Sequence, residues 1–250
     1  MQLEQVKHIG VMGGGVMGGG IAQVLALAGY TVSIRDLTEA LLTETRAEIE
    51  ERKWSVKRAV ERGKLGFDQA LGAMSRVQYT TEVRNLAGCD LIIEAIPEKL
   101  ELKQQVFAEL DDIVKPNAIF ATNTSGFVVA EVFARIGAER KRAALGMHFS
   151  NPVPVMTMCE VVYTPDTSET AIDIARGVAE KAGRAVSLVK DTPGTYGFIL
   201  NRVFAAAYRE AKKIVDDGIA TPEDIDRAMI TGRNWPAGFF GRRGGIGKQW

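Results

Sequence analysis

The chain has 250 residues, 31 basic and 31 acidic side chains, a formal net charge of zero and 46% apolar residues, which is the composition of an ordinary globular protein. The charge balance lacks the basic excess of a nucleic-acid binder, and no apolar run is long enough to span a bilayer. Cys89 and Cys159 lie far apart without a C-x-x-C pair, so neither a disulfide framework nor a metal site is indicated.

The length allows one large domain, or one large and one small. Val6, Ile9 and Val11 predict a buried first strand so near the first residue that no signal peptide is expected. A cytoplasmic protein is expected. After the strand comes a glycine cluster in which Gly13, Gly15 and Gly18 fit G-x-G-x-x-G, with Gly20 one turn further on. A helix of small and aliphatic residues follows over 17–28, and a second strand over 31–34 leads to Asp36. In such a unit the first glycine permits the tight turn. The second lets the backbone approach a pyrophosphate, and the third lets helix and strand pack closely. The free N–H groups at the helix N-terminus face the anion. Asp36 lies about twenty residues past the glycines, where a carboxylate accepts hydrogen bonds from an adenosine ribose. A dinucleotide is predicted, and NAD is favoured over NADP because Asp36 would repel a 2′-phosphate. Arg35, which could pair with such a phosphate, keeps the alternative open.

Thr38 is placed to cap a long charged segment over 39–62. Its apolar residues (Leu41, Leu42, Ile49, Trp54, Val56, Val60) are too sparse for a core helix. A second charged stretch spans 68–74, and the two predict a helical hairpin projecting from the sheet. Two readings stand: a solvated face, or a lid whose Lys53, Lys57, Arg58 and Lys64 meet an anionic substrate. Strands are then predicted near 77–79, 90–96, 118–122, 144–149, 161–163 and 185–189. Helices alternate with them over 99–114, 128–136 and 167–182. That alternation means an α/β fold with a doubly wound, mostly parallel sheet. Glu98, Asn123, Ser125 and His148 fall at predicted strand ends, where ligands collect in such folds.

The composition changes at Asp191-Thr192-Pro193-Gly194. Beyond Phe198 apolar residues recur at helical spacing, and Thr221 with Pro222 opens a second helix. Two domains are expected, residues 1–190 and a small helical one over 191–250. Two helices cannot bury a core alone, so this module is expected to pack on the first domain or on another chain.

Of two histidines, His8 is most simply structural. His148 precedes Phe-Ser-Asn-Pro-Val-Pro, with Glu160 beyond the proline turn. A carboxylate returned to the imidazole would orient it and stabilise its protonated form, as alcohol oxidation by hydride transfer requires. A core histidine with an unrelated glutamate fits the spacing equally. Ser125 could bond a substrate oxygen, though Asn-Thr-Ser-Gly is also good loop chemistry. Asn201 would be costly to bury without a partner and should reach one or a cleft.

Five segments together resemble the 3-hydroxyacyl-CoA dehydrogenases: 13–22 (Gly-x-Gly-x-Met-Gly-x-Gly-Ile-Ala), 93–98 (Ile-Glu-Ala-Ile-Pro-Glu), 123–125 (Asn-Thr-Ser), 146–156 (Gly-Met-His-Phe-Ser-Asn-Pro-Val-Pro-Val-Met) and 201–203 (Asn-Arg-Val). The resemblance covers about residues 6–237. It implies a Rossmann-type NAD-binding domain followed by a helical domain that shares in the substrate cleft and in a homodimer contact. It also implies reversible oxidation of an L-3-hydroxyacyl-CoA to the 3-ketoacyl-CoA with NAD, as in β-oxidation and butanoate metabolism. By the same resemblance His148 is the acid/base, Glu160 its partner, and Ser125 and Asn201 position the substrate. Gly13, Gly15, Val16, Met17, Gly18, Asp36, Glu98, Lys103 and Asn123 belong to the cofactor region. Asn151 supports the active site, and Lys57 and Lys64 become contacts for the CoA phosphates.

Two departures accompany it. The linker Asp-Thr-Pro-Gly-Thr-Tyr-Gly-Phe is longer around Tyr196 than the family's Pro-Gly-Phe. After Ala237 a glycine-rich, basic tail replaces the apolar helical stretch of the family, so a truncated or frame-shifted end is expected, with dimerisation and full activity affected. The competing functions are a dehydrogenase of a free hydroxy acid or sugar acid, and an NAD-binding protein with little turnover.

Overall fold

The structure, a computed structural model, describes residues 1–241. It forms two units, one of Met1–Phe198 and a second beginning at Ile199. The first is built on eight strands: β1 (His8–Met12), β2 (Thr31–Arg35), β3 (Val77–Thr80), β4 (Leu91–Glu94), β5 (Ile119–Thr122), β6 (Ala144–Phe149), β7 (Met158–Tyr163) and β8 (Ala185–Lys190). Their order in the sheet is β3-β2-β1-β4-β5-β6-β7-β8. Neighbours run parallel except β6 and β7, which are antiparallel, so the doubly wound, mostly parallel sheet expected from the sequence is what forms. The order reverses at β1, which lies between β2 and β4, and a crevice opens at such a switch point.

Strands β4, β5 and β6 are buried along their whole length because helices cover both faces. On one face α1 (Val16–Leu27) and α8 (Glu169–Lys181) bury Ile21, Leu25, Ile174 and Val178 against Ile9, Val11 and Val32. On the other, α5 (Leu100–Ile113) and the single turn α6 (Val129–Val132) bury Phe107, Leu110 and Val132 against Ile92 and Phe120. The helix expected over 128–136 is only that turn. A second short helix, α7 (Ala138–Lys141), follows and carries buried Arg140, which pairs with Asp111 and donates to the carbonyls of Val114, Lys115 and Ala118.

The charged excursion differs from the expected projecting hairpin. It is three helices, α2 (Glu39–Glu50), α3 (Val56–Glu61) and α4 (Phe67–Met74). Leu42 and Ile49, seven positions apart, share a face of α2 and join the main core together with Ala73 of α4. Thr38 and Ser55 cap α2 and α3 as N-cap acceptors. Arg52 pairs with Glu44 and Glu48, and Arg58 with Glu61, while Lys53, Lys57 and Lys64 are exposed.

The second unit contains α9 (Ile199–Asp216) and α10 (Pro222–Arg233). Thr221 caps α10, accepting from the N–H of Asp224. Ala211, Ile225 and Phe239 form a small buried cluster, with Trp235 edge-on to Phe239 at 5.0 Å. Phe239 and Phe240, read from sequence as the start of an aberrant tail, therefore pack; the N–H of Phe240 donates to Asp226. The rest of that tail, residues 242–250, lies outside the described residues, and so does the expectation built on it. Among the described residues no helix is long and apolar enough to cross a membrane.

Candidate active site

The parallel strands carry the candidate residues to one end of the sheet. The loop after β1 holds Gly13 to Gly15, and Asp36 follows β2. Glu94 ends β4 with Glu98 just beyond, Asn123 and Ser125 follow β5, and His148 is the penultimate residue of β6.

The glycine loop is held from several sides. Gly13 has φ +94°, open to glycine and strained for other residues, and its N–H donates to the carbonyl of Arg35. A Cβ on Gly18 would stand 1.8 Å from the carbonyl oxygen of Gly13, so only glycine lets α1 start there. A Cβ on Gly15 would meet nothing within 4 Å, so this backbone borders open space. Val16 beside it is 64% exposed. Asp36 accepts from the N–H of Gly14 through Oδ2 and of Leu37 through Oδ1, both at 2.7 Å. Thr45, which sequence reasoning did not single out, donates to the carbonyl of Gly14 at 2.8 Å. Arg35 is turned away: its Nε donates to the carbonyl of Thr81. Open backbone at the helix start, a fixed carboxylate and a diverted arginine fit NAD.

Beneath the β4 end lies a network that was only half legible. Glu94 is wholly buried and Lys103 is 1% exposed, with Nζ 2.6 Å from Glu94 Oε1. Thr122 Oγ1 and the N–H of Ile96 also donate to Glu94. Burial pushes the Glu94 carboxyl up, and Lys103 opposes it. The same ammonium reaches Glu98 Oε2 at 3.1 Å, and Glu98 Oε1 accepts from Thr124 Oγ1 and from the N–H of Ser125 at 2.9 Å. Lys103 thus sits below Glu98, and Glu98 holds the Ser125 loop. The sequence signal was an acid in an apolar strand with a lysine nine positions on.

Asn123, 8% exposed, accepts from the N–H of Phe149 through Oδ1 at 2.9 Å, tying the β5 loop to the end of β6. His148 and Glu160 are directly opposed across the antiparallel β6–β7 ladder. Their Nδ1 to Oε2 distance is 2.7 Å, with His148 at 8% and Glu160 at 1% side-chain exposure. The ladder, not the proline turn alone, returns the carboxylate to the ring. Phe198 stands edge-on to the imidazole at 5.6 Å. The loop joining the two strands is fixed from outside: Arg184 Nη1 donates to the carbonyls of Val153 and Met156, and a Cβ on Gly20 would press on Val153 at 3.0 Å. Asn151 in this loop is exposed and precedes a cis peptide to Pro152. An imidazole oriented by a buried carboxylate can move a proton at its other nitrogen.

Asn201 belongs to the second unit, on the first turn of α9, where it is exposed rather than buried. Met17 is half-buried at the start of α1. His8 is structural as expected, with Nε2 2.8 Å from Ser33 Oγ. Among the described residues no cluster of three or more His, Cys, Asp or Glu could hold a metal ion.

Comparison with known proteins gives the chain's family. The family model for the NAD-binding domain of 3-hydroxyacyl-CoA dehydrogenase matches residues 8–192, and that for its C-terminal domain matches residues 197–247. The latter runs past Ala237, where the resemblance was expected to stop. The mitochondrial hydroxyacyl-coenzyme A dehydrogenase of Homo sapiens is 39% identical over 238 residues, covering 94% of this chain and 74% of its own. A 3-hydroxybutyryl-CoA dehydrogenase of Mycobacterium tuberculosis is 35% identical over 237 residues, 94% of this chain and 80% of its own. The crystal structure of (S)-3-hydroxybutyryl-CoA dehydrogenase from Ralstonia eutropha superposes with a TM-score of 0.88 at 32% identity, covering 94% of this chain and 80% of that one. With both domain models matched in order along the chain, the protein belongs to the family of NAD-dependent 3-hydroxyacyl-CoA dehydrogenases.

Proposed function

We propose that the protein interconverts an L-3-hydroxyacyl-CoA and the corresponding 3-ketoacyl-CoA, with His148 as acid/base and Glu160 as its orienting partner. The 2.7 Å contact between the two, made by residues that are both nearly buried, carries the reading. With Nδ1–H donated to the carboxylate, Nε2 keeps its lone pair for the 3-hydroxyl proton. Bound NAD⁺ supplies the hydride acceptor. As the hydroxyl proton passes to Nε2, the carbon–oxygen double bond forms, and Glu160 stabilises the imidazolium. In reduction the imidazolium returns that proton to the oxygen.

The unit Met1–Phe198, rather than 1–190, serves as the cofactor domain, and the helical domain begins at Ile199 rather than at 191. Ser125 and Asn201 are assigned to the substrate oxygen, and Asn151 supports the site. Gly13, Gly15, Val16, Met17, Gly18, Asp36 and Asn123 are assigned to NAD. Glu98 shapes the cofactor side of the site, and Lys103 fixes Glu98 from below. Lys57 and Lys64, both exposed, are assigned to the CoA phosphates. A homodimer through the exposed Val203, Phe204 and Tyr208 of α9 completes the proposal. The names of the bacterial relatives support a four-carbon acyl group.

The test is NADH oxidation with acetoacetyl-CoA, beside His148→Gln. The variant should lose turnover by about 10²–10⁴-fold while still binding NADH. Equal turnover in both proteins would remove His148 from the chemistry.

A further inference from the structure

Tyr196 belongs to the stretch by which the linker exceeds the Pro-Gly-Phe pattern, and it has a defined seat. A Cβ built on Gly126 would lie 2.4 Å from its Cε1, 2.5 Å from Cζ and 2.6 Å from Cδ1. The ring therefore occupies the place of the side chain that Gly126 lacks, immediately after Ser125. Phe127 braces it edge-on, with centroids 6.2 Å apart and planes at 87°. The N–H of Gly197 donates to the carbonyl of Gly126 at 3.1 Å, fastening the linker to the same loop. The free side of the ring is open, with Tyr196 63% exposed. Burial of its inner edge and the nearby Glu98 carboxylate both keep the phenol protonated.

A braced, open aromatic face next to a residue that holds the substrate oxygen can touch the carbon chain attached to that oxygen. Resting on the reading of the site given above, we infer that Tyr196 is a specificity-determining residue, a fixed wall beside Ser125 that admits short 3-ketoacyl groups and obstructs long ones. The selectivity lies in the ring and not in its hydroxyl. A short chain ends against the wall, whereas a long one must displace the ring and break its seat on Gly126 and Phe127. Discrimination of this kind, by a methylene count against a rigid surface, is worth about tenfold or more in kcat/KM.

The experiment compares kcat/KM for acetoacetyl-CoA and 3-ketodecanoyl-CoA in the full-length protein and in Tyr196→Ala, Tyr196→Phe and Tyr196→Trp. NADH binding by fluorescence checks that each variant is folded. The ten-carbon to four-carbon ratio should rise about tenfold in the alanine variant, stay unchanged in phenylalanine and fall in tryptophan. If alanine cannot be obtained folded, the tryptophan variant carries the test in the opposite direction. Ratios equal to the parent's in alanine and tryptophan would overturn the role of Tyr196 while leaving the dehydrogenase reading in place. No turnover of either thioester by a parent that binds NADH would overturn both.

Discussion

Lys103 and Glu94 form an ion pair with Nζ 2.6 Å from Oε1 and almost no solvent at either side chain. Through Glu98 the pair reaches the N–H of Ser125. Lys103→Met should cost about 3–5 kcal/mol, because it leaves a buried carboxylate without its cation. Burial already raises the Glu94 carboxyl above the ordinary 4.5, and the variant should raise it further. The folded state then keeps a proton that the unfolded chain has lost. The stability this contributes is full below the unfolded value and is lost as pH rises through the folded one. The variant's deficit in urea denaturation should therefore be smaller at pH 5 than at pH 8, and a deficit equal at the two would contradict the assignment.

Gly18→Ala tests the glycine turn. The new methyl group would meet a backbone oxygen at 1.8 Å, so α1 must shift away from β1. A cost of about 1–3 kcal/mol in NADH binding or in stability is expected. Fluorescence titration and thermal melts separate the two, and a variant matching the parent in both would show that the helix start is looser than described.

Asp36→Ala removes acceptors from Gly14 and Leu37 as well as from any ribose. Hydrogen bonds to a charged group are worth about 1.5–3 kcal/mol, so NADH affinity should fall by roughly 10–100-fold. NADPH should gain little, since Arg35 is engaged by the Thr81 carbonyl. A switch to NADPH in parallel titrations would mean that Arg35 readily leaves that partner.

Replacing both Lys57 and Lys64 by alanine should raise KM for acetoacetyl-CoA by roughly two- to tenfold, the scale of two exposed charge contacts, with KM for NADH unchanged. The difference from the parent should shrink in high salt. A free 3-hydroxy acid as the true substrate would be indifferent to the change.

The two cysteines make a chemical control. Burial pushes the Cys89 thiol up to about 12 and raises Cys159 as well. The native protein should resist a thiol-specific reagent at pH 8 and react at both cysteines once unfolded. Rapid modification of the native protein would place one of them at the surface.

Some of this was legible from residue order. The strand, glycine turn, helix and terminal acid from Val6 to Asp36 are local, and each part follows from backbone freedom and apolar spacing within a few residues. Strand–helix alternation required a parallel sheet because a parallel connection needs a crossover. The charged segment 39–74 is helical as expected, but its docking on the core is not legible in the sequence, because periodicity in a polar helix is faint. Leu42, Ile49 and Ala73 join the main core, and Thr45 bonds to the carbonyl of Gly14.

Sequence alone determined the dinucleotide turn, the doubly wound class and the candidacy of His148, since these depend on residue type and spacing along the chain. Tertiary structure decided what faces what. The antiparallel β6–β7 register set Glu160 opposite His148, burial joined Glu94 to Lys103, and packing laid Tyr196 on Gly126. Such pairings join residues separated by anything from nine positions to seventy, and their energies depend on distance and desolvation, which a one-dimensional pattern does not carry.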